Sequence, residues 1–405
     1  DPSNPNHLYI GTGEGYFDAV QGSSNTGALQ GAGVFESTDS GDTWTQIPST
    51  ATSDFYFCNR FAICPTQPNV MLLATGSGIW RSADHGTTWT RLATGLPIPS
   101  DNVGRIGLAI AASQPSTIYA QIITGAASGY QGLGLYRSLD GGSTWARRDS
   151  GEDPYIGNFG GFGWYFGEMA VDPTNPNRLF SLGVGLIRSL DGGASYTSVL
   201  GTAHVDGHAM WIDPSNPLRI YLGNDGGFFR TTVGGPPWTK SLDLPISQFY
   251  AGAVDPQNSA RILGGTQDNG SLATTGAPTA WTALGIGGDG FYCLVDPVVS
   301  TVVFAEWQFC CDGTGPRRST NNGASFSAAT GFTPGDRWNW CTPFVMNPLS
   351  RFTMLVGSHR VYRSLNNGLG YTATSVDLTT NPATQLVFGT ISTLDISAAD
   401  TSRYY

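Results

Sequence analysis

Short apolar runs, each cut off by turn residues, dominate the chain. Between residues 102 and 150 they fall at 104–111, 117–123, 134–138 and 144–148, are rich in Val, Ile, Tyr, Phe and Trp, and are bounded by Gly, Asn and Pro. Runs of that length and make-up predict β-strands. No helical period persists beyond about two turns. An anchor of the form Asp-Pro-x-Asn-Pro sits between apolar runs at 1–5, 172–176 and 213–217, with weaker copies near Cys64, Ala112, Asp255, Asp296, Asn347 and Ala398. The anchors step by about 41 to about 63 residues, and four short strands with their turns need about 40 to 50.

A second motif lies between the anchors, Ser/Thr-x-Asp-x-Gly-x-Ser/Thr-aromatic. It carries Asp39 and Trp44, then Asp84 and Trp89, Asp140 and Trp145, and Asp191 and Tyr196. Asn replaces Asp in the copies at Asn321 (to Phe326) and Asn366 (to Tyr371), and two further copies keep little beyond Trp238 and Trp281. The acid is suited to accept backbone N–H bonds across a tight turn. The glycine supplies positive φ, and the aromatic opens the next strand and packs beneath the hairpin. The box is therefore expected to join the third and fourth strands of each unit.

Counting units predicts an all-β fold, a single β-propeller of about eight four-stranded blades spanning 1–405. Seven blades, or a segment of a ten-bladed or two-propeller array, are the alternatives. Units begin near residues 57, 104, 165, 204, 250, 291 and 341. The N-terminal blade, 7–48, lacks one strand. The run 389–396 would complete it, either within the molecule or by strand exchange between molecules, which would build a polymer. The stub 403–405 fits neither arrangement easily.

Charged residues make up only 12% of the chain, so the polar surface must come from Ser, Thr, Asn and Gly. That composition suits a secreted, extracellular or cell-surface protein that meets glycans or proteins. A net charge of −10 repels a phosphate backbone and excludes nucleic acid as a partner. No apolar stretch is long enough for a transmembrane segment. The chain opens abruptly at Asp1, as a processed or excised segment would. Of the six cysteines none forms a CxxC pair. Two alternatives stand: Cys310 or Cys311 bridging to Cys293 or Cys341, or buried thiols.

The repeated box and anchor resemble the sialidase-type (Asp-box, BNR) repeat superfamily, including sortilin-type propellers, xyloglucanase-type glycoside hydrolases and secreted bacterial multi-repeat proteins. The resemblance rests also on Gly11-Thr-Gly-Glu14, Gly163-Trp-Tyr165, His204-Val-Asp-Gly-His-Ala209, Gly223-Asn-Asp-Gly-Gly227, Gly265-Thr-Gln-Asp-Asn-Gly270 and Gly287-Gly-Asp-Gly290. It implies the fold and leaves activity open, since such repeats serve hydrolases, lyases, receptors and assembly factors alike. Likeness to true sialidases would require an arginine triad. Arg81, Arg137, Arg188, Arg230, Arg318 and Arg363 recur with the blade and are expected to be structural. The arginines outside the repeat that fall on or near predicted inner strands are Arg60, Arg105 and Arg337, a poor match, and sialidase activity is not expected.

Three groups carry candidate chemistry. His204, Asp206 and His208 fall on one predicted innermost strand, where alternation puts them on the face of Met210 and Ile212. They read as a hydrogen-bonded polar layer or as a site for calcium or another divalent metal. Asp225, Asp268 and Asp289 lie in Gly/Asn-rich turns that could converge on one rim as metal ligands or as a catalytic acid and base, a role for which Asp206 is a further candidate. Trp164, Tyr165, Trp307, Trp338 and Trp340 exceed what the repeat needs and suit stacking on sugars or anchoring a protein. The leading expectation is a non-catalytic binding or assembly module; the alternative is a glycoside hydrolase or lyase.

Overall fold

The structure, a computed structural model, describes residues 1–13, 29–98, 102–149, 155–242, 244, 246–277, 279–379, 389–398, 400 and 403–405. Among them eight antiparallel sheets follow one another along the chain, each an up-and-down meander, six with four strands and two with three. This is the blade architecture of a β-propeller, with eight blades. The chain forms two compact units, Asp1–Leu244 with five sheets and Pro245–Tyr405 with three. The third sheet shows the pattern: Val103–Ile110, Ile118–Thr124, Gly132–Ser138 and Ala146–Arg147, within about two residues of the expected bounds.

Burial follows strand position. The second strand of a sheet is buried on both faces, as in Met71–Thr75, Ile118–Thr124 and Leu179–Leu182, while the fourth is a short exposed pair such as Ala146–Arg147. Strands covered on both faces read as continuous apolar runs rather than alternating ones. The core lies between neighbouring sheets. Leu72, Ala74 and Ile79 meet Ile106, Leu108 and Ile122. Phe180 and Leu182 meet Ile220 and Leu222, and in the second unit Phe304 meets Phe344 and Val356.

The third and fourth strands are joined by the carboxylate corner. Asp140 Oδ1 accepts the Ser138 hydroxyl at 2.7 Å and the Thr144 N–H at 2.9 Å, and its Oδ2 accepts the Thr144 hydroxyl at 2.6 Å. Ser138 Oγ in turn accepts the Gly142 N–H at 2.9 Å. The same bonds recur at Asp39, Asp84 and Asp191, and Asn321 and Asn366 keep the backbone half of the pattern. Two consecutive residues take positive φ, Gly141 at 72° and Gly142 at 96°, with Ser40, His85, Asn322 and Asn367 in the first of these places elsewhere. Trp145 closes the corner, 6% exposed with its indole N–H on the Gly142 carbonyl.

A rim clasp was not foreseen. After the first strand, Asp172, Asp213 and Asp255 each accept a guanidinium six residues on, from Arg178 at 2.9 Å, Arg219 at 2.9 Å and Arg261 at 3.0 Å. Arg178 also donates to the carbonyls of Pro217 and Gly234 in the next sheet. Arg188, which precedes a corner, reaches Gly234 as well, and Arg137 and Arg318 likewise tie to Asn177 and Asn367 of the following sheets.

Two expectations are corrected. The run 389–396 is not a strand: Ile396 makes a single antiparallel bridge to Tyr404, and Asp395 and Tyr405 exchange backbone bonds. The stub thus folds back on its own neighbours, because a short loop closes at less entropic cost than a long one. The first sheet contains Leu8–Gly11, Val34–Ser37 and Thr45–Gln46. All six cysteines are thiols, so the bridge from Cys310 or Cys311 to Cys293 or Cys341 is not made; Cys64, Cys293, Cys310 and Cys311 are buried, and Cys58 and Cys341 are half-buried.

Cys310 and Cys311 lie in the one α-helical segment among the described residues, Gln308–Gly313, where Phe309, Cys310, Cys311 and Asp312 all take φ between 52° and 56°. A left-handed turn of such residues costs ~1–2 kcal/mol each. It buries both thiols and turns Phe309 outward. Beneath it Glu306 is fully enclosed, beside the Cys310 thiol and the backbones of Tyr292 and Thr342, and neither oxygen reaches good hydrogen-bond geometry. Burial holds its carboxyl well above the ordinary carboxylate range.

Three outcomes follow from this packing. Trp145→Ala should cost ~3–5 kcal/mol in urea unfolding of that unit, and Trp44→Ala, at a 37% exposed site, clearly less. Hydrogen bonds from Thr and Ser hold Asp39 and Asp140 down at about 2, and Asp191 also sits at about 2. Their folded values are depressed, so their stabilisation is present above the ordinary value near 4 and is lost as pH falls through about 2. Thermal melts should show that loss, and Asp140→Asn should shrink it. Glu306 has the opposite sign, because the folded state holds its proton longer. Its stabilising share is full below the unfolded value near 4.5 and declines as pH rises. Glu306→Gln should therefore raise Tm at about pH 8 relative to wild type, with the difference vanishing toward pH 4.5.

Candidate functional site

Four leading strands carry a register shift near their start: between Cys58 and Arg60, Val103 and Ile106, Gly207 and Ala209, and Phe249 and Ala251. The residues set out of register are Asn59, Gly104 with Arg105, His208 and Tyr250. A β-bulge re-aims a side chain that alternation would send to the other face. Here the shift recurs at one place in the blade, and polar or aromatic groups occupy it.

In the first unit these bulges bring together residues from successive sheets. Arg60 Nη1 lies 2.5 Å from Glu168 Oε1, and the Arg105 guanidinium donates to the Trp164 carbonyl at 3.3 Å. Gly167, at φ 154°, lets the Arg105 side chain pass across it, since a Cβ there would sit 3.2 Å from Arg105 Cδ. Glu168 immediately precedes Met169–Val171 and is half-buried. Burial raises its pKa above the ordinary value, opposed by the charges of Arg60, Arg105 and His208. His208 Nε2 is 2.7 Å from Asp225 Oδ1. The imidazole is held edge-on to Tyr165 at 5.1 Å and beside Phe166 at 5.2 Å. Trp164 and Tyr165 pack at 5.5 Å, and Tyr165 is 42% exposed.

The expected row of His204, Asp206 and His208 is not formed. The strand is Gly207–Ile212, so His204 and Asp206 precede it. Asp206 takes φ 65°, which breaks the alternation, and the shift at His208 resets its parity relative to Met210. His204 turns its Nδ1 to the Val205 carbonyl, 3.0 Å away. Among the described residues no three His, Cys, Asp or Glu side chains gather as a metal-holding group. His208 pairs with Asp225 instead, and Glu168 and Arg60 complete a cluster that the sequence reading did not assemble. The signal available for Arg60 and Arg105 was their place outside the repeat. For Glu168 there was none.

In the second unit Asp268 and Asp289 do meet. The Asp268 N–H donates to Asp289 Oδ1 at 2.7 Å, and the Asp289 N–H donates to Gln308 Oε1 at 2.9 Å. Tyr250 lies beside both, and burial with these two charges raises its pKa. Tyr250 stacks on the buried Phe291 at 4.6 Å, Trp340 meets Phe291 at 6.2 Å, and Phe309 meets Trp340 at 4.9 Å. The outer three rings are 43%, 44% and 44% exposed. Phe309 also lines a cleft of about 690 Å³ with Asp312, Phe332, Asp336 and Trp338. Asp336 is held by Arg360 at 3.3 Å and by the Tyr362 hydroxyl. Trp307 is committed to structure, its N–H on Asp312 at 3.0 Å and its ring under Arg317 at 4.7 Å. Arg337 pairs with Asp377 at 2.7 Å. Glu14 lies outside the described residues.

No helix among the described residues is long and apolar enough to cross a membrane. No protein-family model matches the chain. No curated protein matches it. Solved structures do. The GH74 enzyme of Niastella koreensis aligns with a TM-score of 0.55 and 16% identity over 93% of this chain, which spans 62% of that enzyme's length. The GH74 xyloglucanase of Xanthomonas campestris gives 0.49 and 16%, covering 95% of this chain and 73% of the other. YCF48 of Cyanidioschyzon merolae gives 0.33 and 13%, covering 80% and 96%. At these identities the likeness to the Niastella enzyme is one of fold, and it places this chain among β-propeller proteins.

Proposed function

We propose that this protein is a secreted or cell-surface glycan-binding β-propeller of the Asp-box repeat type. The observation that carries this reading is the aromatic strip of the second unit. Tyr250, Trp340 and Phe309 expose their rings in sequence over the buried Phe291, and the strip leads into the cleft lined by Phe332 and Trp338. Exposed large rings fixed on a rigid sheet end lose little entropy on binding and offer apolar faces to the C–H faces of sugars. Asp312 supplies an acceptor beside them for hydroxyls. The cleft volume falls within the roughly 300–1,000 Å³ range of small-ligand sites.

Hydrolysis by Asp268 and Asp289 is the second reading, favoured by their contact at the Tyr250 end of the strip. Against it, Asp289 is 8% exposed and spends an oxygen on the Asp268 backbone. That is the role of a turn-holding carboxylate.

Titration of the full chain with xyloglucan, mixed-linkage β-glucan and galactomannan, read by tryptophan fluorescence and calorimetry, tests the proposal. Binding of at least one polymer is expected, with Trp340→Ala or Trp338→Ala weakening it ~10-fold or more. Affinity untouched by both substitutions would remove the strip from consideration. Release of reducing ends that survives Asp268→Asn and Asp289→Asn unchanged would dispose of the second reading.

A further inference from the structure

The polar cluster of the first unit has no part in that strip and calls for its own account. We propose that it is an acid–base centre cleaving uronate-bearing glycans by β-elimination, with His208 as the base, Glu168 as the acid, and Arg60 and Arg105 as the cations that receive the substrate's carboxylate. The proposal goes beyond glycan binding and uses different residues in a different unit, so either can fail without the other.

Three features point to proton transfer rather than to a structural ion-pair network. The first is the dyad. A carboxylate 2.7 Å from one imidazole nitrogen fixes the ring and stabilises the imidazolium that forms when the ring takes a proton. Tyr165 and Phe166 clamp the same ring, so its orientation is set before substrate arrives. The second is Glu168, a half-buried acid whose pKa is raised by burial against the opposing charges of Arg60, Arg105 and His208. A buried acid with a raised proton affinity beside a fixed imidazole marks a candidate acid–base site. The third is the pair of guanidinium groups. Arg60 and Arg105 come from the leading strands of two successive sheets, stand outside the repeat, and both act on the one carboxyl of Glu168. Guanidinium groups match a carboxylate in shape and charge. A carboxylate-bearing substrate is what distinguishes elimination from simple hydrolysis.

The step balances without a co-reactant. His208 removes the proton at C5, next to the uronate carboxyl. The C5–H electron pair becomes the C4=C5 double bond, and the C4–O bond breaks with its electrons leaving on oxygen. That oxygen takes the Glu168 proton. The charge that gathers on the substrate carboxylate during the step faces Arg60 and Arg105, where fixed cations in a half-buried site act most strongly. Glu168, now ionised, is held by Arg60 until the proton on His208 returns to it through solvent. Trp164 and the exposed Tyr165 give the sugar ring a face to rest on. The net charge of −10 opposes a polyanion at long range. That opposition is screened beyond roughly 8 Å at physiological salt, so the local arginines govern the approach.

The test incubates the full chain with polygalacturonate, alginate and hyaluronan and follows the ultraviolet absorbance of the unsaturated uronate. Absorbance is expected to rise with at least one polymer. His208→Gln should lower kcat ~100-fold or more, and Arg105→Gln should lower kcat/KM. Asp225→Asn, which leaves the imidazole in place, should lower kcat and shift the pH profile, a change that a merely structural role would not produce. Matching thermal melts establish that each variant is folded. No absorbance change with all three polymers overturns the proposal. So does cleavage that yields reducing ends without unsaturation, or full activity in folded His208→Gln.

Discussion

Six of the eight blade corners here are each held by one small acceptor group. An Asp or Asn side chain takes the N–H of a residue four positions on, while the Ser two positions before it takes the N–H of the glycine. The turn needs two left-handed residues in succession, a conformation that most side chains resist. The acceptor bonds and the glycine together make it affordable. With the corner closed, the third strand is committed to pair with the fourth, and the indole or phenol that follows is carried under the hairpin. Sheet packing, the inter-blade arginine ties and the exposed short outer strands all depend on that closure.

The candidate chemistry lies at the other end of the blade. Leading strands of successive sheets run beside one another within each unit, and four of them shift register near their first residues. One extra residue in a strand frees a side chain from both faces of the sheet. The repeat therefore supplies the same re-aimed position several times, to be filled by Arg105, His208 or Tyr250. Conserving the scaffold while varying the bulged residue is a general route to a site on a repeat protein.

The two units use this device differently. The first gathers charge: two arginines, a glutamate lifted by burial, and a histidine bound to an aspartate. The second gathers rings, with Asp289 serving a neighbouring turn and Glu306 sealed away beneath a left-handed turn, its pKa raised by burial. Strain in that turn projects Phe309 into the strip. Backbone strain of this kind persists where the surrounding packing over-determines it.

Read alone, the sequence determined the strand lengths, the corner and the blade count. These are local properties: a few adjacent side chains and the backbone between them decide a turn, and repetition multiplies the signal. Tertiary structure decided the rest. Strict alternation put His204, Asp206 and His208 on one face, but one left-handed residue and one bulge reversed that parity. Glu168 carried no local signature, because what makes it an unusual acid is its burial among packed sheets, beside an Arg60 that lies 108 residues away along the chain. The run 389–396 had a strand's composition, yet only its last residues pair with the tail, while Gly389, Thr390 and Ile391 bond to Thr379, Asn339 and Ser358. A pattern of residue types encodes what neighbours in the chain can do, whereas register and proton affinity are set by groups that only the folded sheets bring together.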